Sequence, residues 1–178
     1  EQFLLRVFVE DKRTAPQGVS AAYTDVTFDA SRVAVAGPIE YGPRYSSDTS
    51  GNMATAGLID EAGGAAGNTP VGGDRLLLFS VPLQANAAGQ VTFTLDAADD
   101  LPSHQTLLSG QTAPVAEDSI ARGAATLEIK VALDARDDLF NTDEDSQNIA
   151  LDVLANDTLK GLARQQLTVT SVGPASQG

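Results

Sequence analysis

Residues 90–95, QVTFTL, alternate strictly: Val91, Phe93 and Leu95 are apolar, and Gln90, Thr92 and Thr94 are polar. A period of two sends the two sets to opposite faces of an extended strand, whereas a helix would scatter them around its axis. The alternation predicts a half-buried strand with Phe93 at the centre of its inner face. A slip of one residue would turn that face to solvent. Residues 3–10, 19–28, 32–36, 75–83 and 124–133 share this strand character, being rich in apolar, aromatic and β-branched side chains. In 124–133, Leu127, Ile129, Val131 and Leu133 fall on one face. Between these stretches lie turn residues, such as Pro16 and Gly18, Asp29-Ala30-Ser31, and 86–89. No stretch gives a convincing amphipathic helix. Short strands parted by Gly and Pro turns predict an all-β sandwich.

Residues 37–74 read differently. They hold glycines and prolines throughout, including Gly37, Pro38, Gly63, Gly64 and Gly73, and are expected to form a long loop of the functional or disordered kind. Within them, 56–61 reads as a brief strand or turn. Tyr41 and Tyr45 flank Gly42-Pro43 and are expected to lie as a lid over the core rather than to form a recognition patch.

Composition removes several classes of function. The net charge of −13 argues against a nucleic-acid binder, which needs Lys and Arg against phosphate, and against a binder of anionic membrane surfaces. No apolar run approaches the roughly 18 residues of a membrane span, so no membrane insertion is expected. The chain opens on the strand-like FLLRVFVE rather than on a signal peptide. Residue 1 therefore reads as a processed or excised start within a longer, exported protein. Without cysteine there is no disulfide scaffold, thiolate metal site or cysteine nucleophile. His104 is the single histidine. It reads as an exposed loop residue, because no G-x-S-x-G elbow accompanies it. Zinc ligands, a P-loop and a dinucleotide-binding glycine fingerprint are all missing from the sequence. The chain has no Trp and few aromatics to stack on sugar rings. An enzyme is not expected.

Residues 134–145, DARDDLFNTDED, carry six acids: Asp134, Asp137, Asp138, Asp143, Glu144 and Asp145. Carboxylates this dense repel one another unless water or a cation screens them. A hard cation such as Ca²⁺ takes six to eight oxygens, which such a run can supply. The run reads either as a calcium-stiffened joint between modules or as a solvated acidic linker. Asp143-x-Asp145 begins like an EF-hand loop, but Gln147 and Asn148 break that motif. Beyond the run, 148–154 and 166–172 read as two more strands.

Two family resemblances follow from these residues. Residues 21–35, AAYTDVTFDASRVAV, and 76–95, LLLFSVPLQANAAGQVTFTL, resemble the strand patterns of the cohesin domain. The matches are Phe28-Asp29 followed by Val33, and Phe79-x-Val81 leading through Ala87 and Gly89 to Val91-Thr92-Phe93. Ala30 replaces the usual Pro, and 37–74 is a long insertion. This resemblance covers about residues 3–131. It implies a jelly-roll β-sandwich that binds other protein modules. Residues 134–158 and 167–178 resemble the opening half of a cadherin-like, Ig-like tandem repeat of large bacterial surface proteins. Asp137-Asp138, Thr142-Asp143-Glu144-Asp145 and Leu154-Ala155-Asn156-Asp157 carry it. It departs from the family at LKGLARQQ, where Lys160 and Arg164 stand in a loop that is often acidic. The resemblance implies calcium gathered near repeat junctions, here by Asp137, Asp138, Glu144, Asp145, Asn156 and Asp157. From the residues themselves, Asn156-Asp157 is either a strand-ending turn or a turn that also ligates.

The expected architecture is thus a jelly-roll-like β-sandwich over 1–133, followed at 134–178 by the N-terminal part of an Ig/cadherin-like β-sandwich. The expected function is a non-catalytic structural or adhesive module of a secreted or cell-surface protein. Its partners would be other protein modules or neighbouring subunits. The alternative is a carbohydrate-binding accessory module of a secreted enzyme, with glycans as partners.

Overall fold

A computed structural model describes residues 1–67, 72–101, 103–130, 132–143, 145–159 and 168–173. In chain order the strands are β1 (Gln2–Val9), β2 (Val19–Thr27), β3 (Val33–Val35), β4 (Glu40–Tyr41), β5 (Ser47–Asn52) and β6 (Leu58–Ala65). They continue with β7 (Leu76–Ala85), β8 (Gly89–Ala97), β9 (Leu107–Leu108), β10 (Ala124–Ile129), β11 (Leu133–Asp134) and β12 (Thr158–Leu159). A single 3₁₀ turn spans Glu117–Ser119, and the described residues hold no α-helix. The chain divides into two compact units, 1–129 and 130–178.

The first unit is a sandwich of two antiparallel sheets. One runs β1-β7-β3, with β4 also on β7; the other runs β10-β8-β2-β6-β5, with β9 also on β2. The alternation in 90–95 lands as expected: Val91 and Phe93 are buried, while Thr92 and Thr94 are exposed. Phe93 packs between Phe3, edge-on at 6.3 Å, and Phe28 at 5.6 Å. Around them, Val26, Val33, Tyr45, Ile59, Leu78, Phe79, Val81 and Leu83 complete a dry core. Strand β7 carries Pro82 although strands flank it on both edges, a rare place for a residue without an N–H. The Pro82 carbonyl accepts from Ala36 N at 2.8 Å. Its missing N–H therefore points to the same side, between the spans paired with β3 (83–85) and β4 (79–80).

Residues 37–74 are not the loop that their glycines suggest. They supply β4, β5 and β6, and β6 is an inner strand between β2 and β5. The glycines are there for close approach. A Cβ on Gly63 would lie 2.0 Å from the Ala22 carbonyl oxygen, and one on Gly64 would lie 2.5 Å from that of Tyr45. Tyr45 is core rather than lid: it is fully buried, and its hydroxyl donates to Val19 O at 2.8 Å. Tyr41 is half-buried and donates to Ser50 O at 2.9 Å.

The expected strand over 124–133 stops at Ile129, with Val131 outside the described residues. Its expected buried face is not formed, since every residue but Ile129 is exposed. In the second unit, Leu133 and Asp134 pair with Leu159 and Thr158. Residues 148–154 form no strand, and neither do 168–172; Gln166 and Leu167 lie outside the described residues. Among the described residues the second unit's ladder is two residues long, and an isolated strand pair is marginal in water.

Candidate functional site

Among the described residues, strands β1 and β10 each end a sheet, and each pairs on one side only, β1 with β7 and β10 with β8. Between them the first unit opens into a cleft of about 800 Å³, in the size range of ligand sites. Residues 5–10 all line it without a gap. An alternating strand can border a cleft with consecutive residues only along its edge, so the unpaired edge of β1 forms the wall. Phe93, Leu95, Leu78 and Val26 give the cleft an apolar floor, and Val115 and Ile120 close part of its rim.

The charge of the cleft is opposite to that of the chain. Arg6, Lys12, Arg13, Arg75 and Arg122 line it, against Glu10 and Asp11. Five of the chain's eleven cations thus collect on one feature of a molecule with net charge −13. Arg122 pairs with Glu117, and Lys12 lies 3.7 Å from Glu10. Arg75 lies over the Phe8 ring at 4.4 Å, a cation–π contact, and among the described residues no carboxylate forms an ion pair with it.

Asp11 fastens the turn beside this wall. Its carboxylate accepts from Arg13 Nη2 at 2.7 Å and Nε at 2.8 Å, and from the amides of Gln17 at 2.9 Å and Gly18 at 3.0 Å. The Arg13 side chain holds its pKa well below the usual carboxylate range. Burial opposes this, and the Gly18, Gln17 and Arg13 amides add to it.

A second polar cluster sits on the β2–β6 ladder. The register jumps between Thr24↔Ala62 and Val26↔Ile59, so β6 carries one extra residue opposite Asp25. Glu61 takes up the bulge with φ +52° and is buried. One of its carboxylate oxygens accepts from Asp100 N at 2.6 Å, and the other meets His104 Nδ1. The imidazole stacks on Tyr23 at 4.2 Å and 9°. Tyr23 in turn donates to Asp48 O at 2.6 Å; burial and Asp48 push its pKa up to about 12. Asp25 accepts from Glu61 N at 2.8 Å. Burial raises the Asp25 pKa, with the charges of Asp60, Glu61 and Asp99 adding to the effect.

His104 is therefore not the exposed loop residue expected, since only 10% of its side chain is accessible. An imidazole on a carboxylate is two thirds of a catalytic triad. Here both Glu61 oxygens are committed, and among the described residues no serine or threonine hydroxyl bonds to the ring. The arrangement clamps Asp100 and His104 onto the sheet. Nothing in the sequence around His104 announces it, because the partners come from β2 and from a bulge in β6.

In the second unit the carboxylates of Asp134 and Asp157 accept hydrogen bonds from Arg136. Asn156 Nδ2 donates to Asp137 O at 2.9 Å, Asp157 accepts from Arg136 N at 2.8 Å, and Arg136 reaches Asp134 at 3.0 Å. Asn156 Oδ1 is buried without a partner. Asp145 stands at φ +68°, and Asp138 is exposed. Glu144 lies outside the described residues. Among the described residues, no three His, Cys, Asp or Glu side chains gather as a metal site would need. The structure thus brings Asp137, Asn156 and Asp157 together through a turn.

The cations of the cleft were not legible as a set. They come from β1, the turn after it, the start of β7 and the approach to β10, stretches far apart in the chain. The one local sign is Arg6, an arginine inside the otherwise apolar FLLRVFV.

No family model matches the chain. No curated protein matches it either. A chain of the crystal structure, at pH 5.5, of CaCohA2 in complex with a point variant of CaDoc0917 is similar to it, with a TM-score of 0.44 and 18% identity over 55% of this chain and 73% of that one.

Proposed function

We propose that the chain is a non-catalytic, protein-binding module of an exported, multi-domain surface protein. The observation that carries this reading is the open cleft between β1 and β10. It combines an unpaired strand edge, an apolar floor and a cationic rim on an acidic molecule. Unpaired edges invite another strand, and an extended peptide added to an edge is a common mode of protein recognition. The sequence resemblance to cohesin domains supports the same class of partner. Among the described residues no helix is long and apolar enough to cross a membrane.

The test is a pair of arrays probed with the whole chain, one of extended synthetic peptides and one of glycans. Retention by acidic peptides with alternating apolar residues, lost in Arg6→Glu, supports the reading. Retention by glycans alone replaces it with a carbohydrate-binding module.

A calcium-stiffened joint is part of the proposal. Its ligands would come from Asp137, Asp138, Glu144, Asp145, Asn156 and Asp157, and the buried, unpartnered Asn156 Oδ1 supports it. Binding to the folded state alone raises the melting temperature by mass action. Thermal scans in millimolar Ca²⁺ and in chelator are expected to differ, and coincident curves would rule the joint out.

A further inference from the structure

Two uncovered surfaces of this chain match one another. The first is the β1 wall of the cleft. Phe3, Leu5, Val7 and Val9 turn inward, while Leu4, Arg6 and Phe8 are exposed on the outer face. The second is residues 149–153, IALDV, in the second unit. Ile149, Leu151 and Val153 are 46%, 48% and 38% exposed. They are spaced by two, the period of a strand that buries one face, yet they belong to no strand. We propose that residues 148–154 of a second copy of this chain enter the cleft as a strand added along β1. This rests on the protein-binding reading above and names its partner.

Geometry and charge both favour this occupant. Neighbours across a ladder share a face. With Ile149, Leu151 and Val153 turned onto the apolar floor beside Leu5 and Val7, Asp152 comes to the outer face, where Arg6 lies. Among the described residues Arg6 has no carboxylate partner. Asp143 and Asp145 precede the apolar row and meet the cationic rim formed by Arg75 and its neighbours. The edge of β1 gains a ladder partner on the side where, among the described residues, it has none in the single chain. Each copy offers one segment and one cleft, so copies join either by reciprocal exchange of segments or head to tail.

The experiment is sedimentation velocity of the whole 178-residue chain over rising concentration. Mass is expected to grow with concentration and to fall back as salt is added, because the rim contacts are screened. Arg6→Glu and Leu151→Lys are each expected to weaken association about tenfold or more. Arg6→Glu combined with Asp152→Arg is expected to regain it. All three positions are exposed, and an unfolding midpoint equal to the parent's separates lost contact from lost fold. A parent that stays a single chain at every concentration overturns the proposal. So does association that survives either single variant, or a charge-swapped pair that stays apart. If acidic peptides bind the cleft while the parent stays single, only this partner fails. A cleft that binds no peptide removes the reading it rests on.

Discussion

Asp11 shows how one side chain can set the pH dependence of this fold. Its carboxylate ties residues 11–18 into a turn through Arg13, Gln17 and Gly18, and those donors depress its pKa. A carboxylate lowered in the folded state stabilises fully above its unfolded pKa of about 4, and that contribution is lost as pH falls below it. Asp11→Asn is expected to cost about 1–3 kcal/mol near neutral pH, the scale of a buried donor left unpaired. The gap from the parent should narrow on acidification; a gap independent of pH would show that the charge is not what Asp11 contributes. Asp25 has the opposite sign. Burial raises its pKa, so ionisation works against folding and stability falls as pH rises through that range. Asp25→Asn stays neutral and still offers an oxygen to Glu61 N. It is expected to be more stable than the parent at pH 7 and equal to it below about pH 3, where the aspartate is protonated anyway. Phe93 is the residue the sequence makes plainest, and Phe93→Ala is expected to cost about 3–5 kcal/mol as a buried aromatic leaving a cavity. Its place was legible because a period of two fixes the face from neighbours in sequence. Glu61 and His104 were not, because their contact depends on a one-residue bulge between strands far apart in the chain.

At the scale of elements, the strands that were missed are those whose residues serve packing rather than propensity. The β6 sequence LIDEAGGA has two glycines and two acids; a brief strand or turn is expected at 56–61, and the rest of β6 reads by composition as loop. Its glycines let β2 and β5 pass close on either side, and its acids meet Asp25, Asp100 and His104 through the bulge. None of those partners is visible from within the strand. Gly63→Ala brings a Cβ to 2.0 Å from the Ala22 carbonyl oxygen, and backbone on a neighbouring strand cannot move aside as a side chain can. The expected cost is about 3 kcal/mol, the upper end for overpacking, read as a shift in denaturation midpoint. Gly67→Ala meets no atom within 4 Å but stands at φ +68°, so its smaller cost should reflect backbone strain alone. Strand β10 fails in the converse way. Its apolar alternation is legible, but the sandwich does not cover it, so pattern alone overstates its burial.

For the whole molecule, stability is divided unequally between the two units. The first encloses the core of Tyr45, Phe79, Ile59, Leu78 and their neighbours. The second leaves Leu139, Ile149, Leu151, Val169 and Val172 exposed, Leu139 and Val172 by 88% each, and its ladder is two residues long on each side. Local stability follows buried apolar contact and protected backbone hydrogen bonds. Hydrogen exchange on the dilute chain should therefore be slow in β2, β6, β7 and β8 and fast through 148–154. An alternating row that belongs to no strand cannot hold its amides from water, whatever its strand propensity. A chain ending at Ile129 is expected to keep the melting midpoint and cooperativity of the full chain, since the core residues and their strand partners all precede Lys130. Raising the concentration of the full chain should then slow exchange at 149–153 and along β1 together, because a strand added to an edge protects both members of the new ladder at once. Protection that appears at 149–153 alone would mean that the row is covered by something other than β1. Protection already present in the dilute chain would mean that the second unit orders itself without a second copy.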